Sequence, residues 1–255
     1  MKLSSQIKKY FRAKLLNILQ QEGYIKDELP VLHRSVLEVN NVMEIKKNFN
    51  WDLDPIIDIP IYYDFDYSED LNERRLRDAE SLSVVARNIS PRVCVDIGTA
   101  MGHSAALFGI NAPLSTVYTV NILPEEIESG AGGVLTTGAF SKLQIGSYYR
   151  ERELKNIEQI YANTATWEPD LGVIDLAFID GSHDTEFVYN DTIKMLKHMK
   201  LGSFILWHDF NPALTKQYPW INSVCLGVEK LYNDGYLKGR IYHVRDSWVG
   251  IYRVE

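Results

Sequence analysis

Cysteine is nearly absent: Cys94 and Cys225 are the only two in 255 residues. Neither belongs to a Cys-x-x-Cys pair, which argues against a disulfide framework and a cysteine-rich zinc site. No apolar run is long enough to cross a bilayer, and the N-terminus does not read as a secretion leader. The expected location is therefore cytoplasmic, with no membrane partner. Basic charge is also scarce. Lys and Arg total 27 against 34 Asp and Glu, and no basic stripe offsets the net charge of −7, so nucleic acid is not an expected partner. The rest is ordinary for a globular chain, 45% hydrophobic and 24% charged, which is enough for one large core.

The stretch that organises the chain is Val93–Cys94–Val95–Asp96–Ile97–Gly98–Thr99–Ala100–Met101–Gly102–His103–Ser104–Ala105. Its first five residues read as a strand covered on both faces. Gly98 and Gly102 bracket a tight turn that leads into a helix from Ser104 to Ile110. Free N–H groups at such a turn suit a polar or anionic ligand. The spacing D-x-G-x-x-x-G is neither the G-x-G-x-x-G of dinucleotide enzymes nor the phosphate-loop pattern. It resembles the first motif of class I S-adenosylmethionine (SAM) methyltransferases. A glycine turn in an unrelated α/β protein is the plainer reading of this stretch alone.

Along the chain, residues 1–22 carry a helical pattern, with Ile7, Phe11, Leu15 and Ile18 opposite Lys8, Arg12 and Lys14. It is expected to dock on the domain or on a second subunit, which makes a homo-oligomer through this segment an expectation. A basic membrane-surface helix is the less favoured alternative. Residues 23–68 show no periodicity. Within them, the aromatic and acidic run 56–65 reads as an extended cover, with a pocket wall as the alternative. Residues 69–89 read as a helix, with Leu76, Ala79, Leu82 and Val85 at helical spacing. Val117–Val120 is a second strand ending at Asn121. Residues 122–147, punctuated by Gly130, Gly132, Gly133 and Gly138, form a long loop read as a lid. A helix is expected over Tyr148–Ile157 and a strand over Ile157–Ala162, followed by Asn163–Thr166 and Trp167.

A second constellation follows. Val173–Asp180 reads as a buried strand, ending in Gly181–Ser182–His183–Asp184, and a helix runs from about Thr185 to Met199. Lys200–Leu201–Gly202 reads as a helix stop. Ser203–Trp207 is a further strand that ends in His208–Asp209. Neighbouring parallel strands thus present Asp180, His208 and Asp209 at their carboxyl tips, the edge where α/β sheets build sites. Carboxylates with an imidazole suit Mg²⁺ or Mn²⁺. Taken singly, Asp180 reads as a helix cap, Asp209 as a turn residue and His208 as a supporting hydrogen-bonding group. A helix near Val224–Tyr232 and strands near Arg240–Val244 and Trp248–Tyr252 close the chain. Tyr218, Trp220 and Trp248 read as aromatic core, with an acceptor pocket as the alternative.

The pairing of FIDGSHD with LGSFILWHD, over roughly residues 90–210, is similar to the small-molecule O-methyltransferase branch of the class I family, including metal-dependent catechol and sugar enzymes. The resemblance implies a Rossmann-like, doubly wound α/β fold with a mostly parallel seven-stranded sheet and an antiparallel last strand. A helical and irregular cover, 1–89, would precede a SAM-binding domain, 90–255. It implies SAM seated with its amino-acid end over Asp96, Gly98 and Gly102, with Thr99 and Ser104 in the same turn. Asn121 would face the ribose, in place of the family's Asp or Glu, with Glu125 and Glu126 nearby. Asn163 and Thr164 would lie by the adenine, and Asp180 would complete the site. Asp180, His208 and Asp209 would bind the divalent cation, although many relatives carry an acidic residue at the position of His208. His183 would be the base beside the catalytic Asp180. The acceptor would be the hydroxyl of a sugar, a phenol or another natural product. Two alternatives stand beside this. An NAD-linked oxidoreductase would want a tighter glycine pattern and an acid at position 121. A non-catalytic methyltransferase-like subunit would not need Asp180, His208 and Asp209.

Overall fold

The structure is a computed structural model that describes residues 29–58, 69–136 and 140–255, with only the backbone of 69–72. The expected helix over 1–22 and residues 59–65 of the run 56–65 lie outside the described residues. In chain order, the elements begin with a short helix α1 (Leu32–Ser35), β1 (Val36–Val39), α2 (Val42–Phe49) and α3 (Glu69–Ile89). The motif-bearing strand β2 (Val93–Ile97) and helix α4 (His103–Asn111) follow, then β3 (Thr116–Asn121) and the short α5 (Pro124–Glu128) and α6 (Ser147–Glu151). After β4 (Ile157–Tyr161) come β5 (Ile174–Ile179), α7 (Thr185–Leu196), β6 (Met199–Trp207), α8 (Pro219–Asn233), β7 (Ile241–Val244) and β8 (Gly250–Arg253).

The strands form one sheet in the order β1-β7-β8-β6-β5-β2-β3-β4. Every neighbouring pair is parallel except those made by β8, which runs antiparallel to both β6 and β7. The doubly wound fold and its antiparallel last strand are as expected, but among the described residues the sheet has eight strands, not seven. The extra strand is β1, paired in register with β7 from Val36↔Ile241 to Val39↔Val244. Four residues are too few to display a strand period, so nothing in the sequence announced it.

Alternation within the strands sends side chains to two cores. Cys94, Phe178 and Leu206 face α3 and α4, with Leu82, Val85, Leu107 and Phe108. Val95, Ile97, Ile179 and Trp207 face α7 and α8, with Val188, Val224 and Val228. Both faces of β2, β5 and β6 are therefore covered, which is why these strands read as continuous apolar runs. Cys94 and Cys225 are free and buried on opposite faces. Two boundaries differ from expectation. The helix after residue 147 ends at Glu151, and Lys200–Gly202 belong to β6, where Gly202 has φ +87° and the register against β5 shifts. The glycine marks a bulge, not a helix stop. Among the described residues, no helix is long and apolar enough to cross a membrane.

The chain winds from β2 outward through β3 to β4, then returns to β5 on the other side of β2. The carboxyl ends of β2 and β5 thus flank the point where the winding reverses, where doubly wound sheets leave a crevice.

Candidate active site

Gly98 follows β2 at φ +105°, and a Cβ there would run into the Asp180 carbonyl of the neighbouring loop. Asp180 N donates to Ile97 O at 2.8 Å, locking the two strand tips together. Gly102, at φ +91°, turns toward the Tyr149 ring, 2.6 Å from where its Cβ would be. Asp96 is wholly buried beneath the turn. It accepts from Ser104 Oγ at 2.9 Å and Thr119 Oγ1 at 2.6 Å. Burial pushes its carboxyl up to about 7, against the pull of those two hydroxyls. Thr99 Oγ1, also buried, accepts from Gln159 Nε2 at 3.0 Å.

The crevice is a cleft of about 710 Å³, partly open to solvent. Of the residues expected at the cofactor, Gly98, Asn121, Asn163, Thr164 and Asp180 line it. Asp96, Thr99, Gly102 and Ser104 are not among its walls; they brace the turn from below. Asn121 Oδ1 accepts from Ala100 N at 3.1 Å, and its amide donates to Ile122 O at 2.7 Å. Thr164 Oγ1 donates to Asp191 Oδ2 at 3.2 Å, and Lys194 Nζ donates to Thr164 O and Trp167 O at 2.6 and 2.7 Å. Burial raises the Asp191 carboxyl to about 7 despite Thr164 and Lys194. From the segment read as a lid, Gly132, Gly133, Thr136 and Phe140 form part of the cleft wall.

At the Asp180 end, two carboxylates hold two imidazoles. His183 Nε2 lies 3.4 Å from Asp180 Oδ1 and 3.2 Å from Asp209 Oδ2, yet it is buried without a hydrogen-bond partner. His208 Nδ1 lies 3.1 Å from Asp180 Oδ1 and 3.8 Å from Asp209 Oδ2. Its other nitrogen faces Asp78 Oδ2 at 3.4 Å. Asp180, His183 and Asp209 each offer a donor atom within 4.8 Å of the others, a spacing that could hold a metal ion. Burial alone would raise Asp180 and lower both imidazoles. The ion pairs reverse each shift, holding Asp180 below the usual carboxylate range and pushing His208 well above the usual imidazole value and His183 above it. Asp209, at φ +51°, also accepts from Trp220 Nε1 at 3.3 Å. Tyr218 packs against Trp220 and Trp248 at 4.9 and 5.9 Å between ring centroids, and Trp248 borders His208 at 6.4 Å. The three aromatics therefore flank the cluster.

Asp78 is a site residue that the sequence reading missed. It is buried on α3, and its Oδ1 accepts from Trp248 N at 2.6 Å. A signal was present: Asp78 shares its helical face with Leu82 and Val85, one acid in an apolar stripe. Thr136 was missed for a different reason, because its place depends on a contact between distant loops.

Residues 95–210 match a family model described as a methyltransferase domain. No curated protein matches the chain. The S-adenosylhomocysteine-bound methyltransferase PaMTH1 of Podospora anserina is similar in structure, with a TM-score of 0.55 at 15% identity over 87% of this chain and 99% of that one. The O-methyltransferase NovP is similar with a TM-score of 0.52 at 13% identity, over 71% of this chain and 79% of that one. At these identities the likeness establishes a shared fold.

Proposed function

From the match of residues 95–210 to the methyltransferase domain, we propose that the chain is a SAM-dependent O-methyltransferase acting on the hydroxyl of a small molecule. The observation that carries this reading is the place of Asp180. Its residue lines the cleft, and its carboxylate touches both His183 and His208. A nucleoside donor in the cleft and a hydroxyl acceptor at the acid–imidazole cluster would meet there, and alignment of the two supplies much of the rate in such transfers. SAM supplies an electrophilic methyl group, so the protein's work is to seat two reactants and accept one proton.

The donor set fits a divalent cation: two carboxylates and an imidazole, with a buried ring nitrogen left unpaired beside them. Asp180, Asp209 and His208 are assigned as its ligands. The Asp78 carboxylate behind His208 favours that choice, since ligating histidines characteristically direct their second nitrogen at such a partner. A bound cation would polarise the acceptor hydroxyl and lower its pKa. His183 then remains to hold the proton at Nε2, which faces the same carboxylates. Tyr218, Trp220 and Trp248, which flank the cluster, would border a sugar or phenolic acceptor.

Calorimetric titration separates this reading from an NAD-linked oxidoreductase. SAM and S-adenosylhomocysteine are expected to bind and NAD is not; NAD binding without SAM binding overturns the assignment. Turnover on hydroxyl-bearing acceptors is expected to vanish after chelation and to return with Mg²⁺ or Mn²⁺. Undiminished turnover after exhaustive metal removal would falsify the cation's role.

A further inference from the structure

We infer that Thr136 is the hydroxyl partner of the cofactor's ribose, and that Asp184 is a positioning residue that holds Thr136 over the cleft. The inference rests on the reading that this cleft takes SAM. In doubly wound sheets, the strand tip after the first βα unit faces the ribose, and an acidic side chain there accepts its hydroxyls. Here that tip carries Asn121. Each end of its amide already makes one backbone hydrogen bond, the oxygen accepting from Ala100 N and the nitrogen donating to Ile122 O. It therefore walls the cleft without offering the two free oxygens of a carboxylate.

Another group faces the same space. Thr136 lines the cleft with Asn121, and its Oγ1 is buried without a hydrogen-bond partner. That oxygen lies 3.5 Å from where a Cβ on Gly132 would sit, and Gly132 is itself part of the wall. A hydroxyl can both donate and accept, which matches a sugar hydroxyl. Buried hydroxyls without partners are uncommon, and a ligand hydroxyl would supply the missing one.

The backbone around Thr136 is fixed from two sides. Leu135 N donates to Asp184 Oδ2 at 3.1 Å, and His183 N donates to Leu135 O at 3.4 Å. Thr136 and Ser182 form an isolated antiparallel bridge, and Ser182 Oγ donates to Asp184 Oδ2 at 3.1 Å. Across the cleft, Asn163 Nδ2 donates to Ala131 O at 3.4 Å. Gly133 must be glycine for this approach, because a Cβ would strike the Asp184 carboxylate and the Ser182 hydroxyl. Asp184 therefore acts on the ribose through Thr136.

The test is calorimetric titration with S-adenosylhomocysteine and with its 2′-deoxy and 3′-deoxy analogues. Thr136→Val is expected to weaken S-adenosylhomocysteine binding about tenfold, the size of one lost hydrogen bond. Against one of the two deoxy analogues the same substitution is expected to cost nothing, because the partner hydroxyl is already gone. Thr136→Ser should bind like the parent. Asp184→Ala and Gly133→Ala release the segment from opposite sides of one contact, and both should reproduce the Thr136→Val pattern. Unchanged binding by Thr136→Val overturns the proposal and leaves the cofactor reading standing. A penalty that persists with both deoxy analogues overturns it too, since the side chain then only shapes the cleft. If the parent protein binds no S-adenosylhomocysteine, the cofactor reading itself has failed and the proposal falls with it.

Discussion

Gly98 and Gly130 both hold positive φ, +105° and +87°, but only Gly98 has a neighbour where a side chain would grow. Gly130→Ala should therefore cost about 1 kcal/mol of backbone strain. Gly98→Ala adds a collision with the Asp180 backbone and should cost roughly 2–4 kcal/mol, with loss of cofactor binding as the strand tips part. Urea titration of the two variants checks the contrast. The sequence suggests a glycine that makes room for a ligand; in the structure Gly98 lines the cleft and also makes room for the next loop. Spacing alone cannot separate these, because the loop that needs the room lies 82 positions away, at Asp180. Asp96 gives a test in pH. Its folded value, about 7, stands above its ordinary 3.8, so the folded chain keeps a proton that the unfolded chain releases. Its contribution therefore makes stability fall as pH rises from about 4 to about 7. Asp96→Asn should flatten that part of the profile, measured as unfolding free energy against pH.

Among the elements, α3 matters more than its charged sequence implies. It brings Asp78 beneath His208 and onto the Trp248 amide, joining the N-terminal third of the described chain to the last hairpin. Asp78→Asn should lower affinity for Mn²⁺ by about 10- to 100-fold while leaving S-adenosylhomocysteine affinity near that of the parent. Metal titration and calorimetry on one preparation decide it. Equal Mn²⁺ affinity would remove Asp78 from the site. What was legible at this scale follows from local pattern. β2, β5 and β6 show as apolar runs, and Asp180, His208 and Asp209 show as polar residues at their tips. β1 is too short to carry a period, and α6 stops early at Glu151. The contact between Leu135 and Asp184 joins residues 49 apart and leaves no mark in either segment.

For the whole molecule, the family resemblance implied the doubly wound α/β sheet that the structure has, but the strand order determines what can be separated from what. β6 carries His208 and Asp209 at its tip, and its far edge is covered by β8 from residues 250–253. β8 in turn is flanked by β7, and β7 by β1 from residues 36–39. The acidic cluster thus lies inside the matched segment 95–210, while the edge of the strand that presents it is protected by chain from both termini. Excised as 95–210, the segment would expose β6 as a bare apolar edge and strip Asp78 from His208. Such a fragment should aggregate, or show no cooperative melting by circular dichroism. A soluble fragment that melts cooperatively would show the flanks to be dispensable. The site is consequently a poor graft: moving its chemistry to another scaffold means carrying the entire sheet, because the portable unit is larger than the stretch that bears the signature.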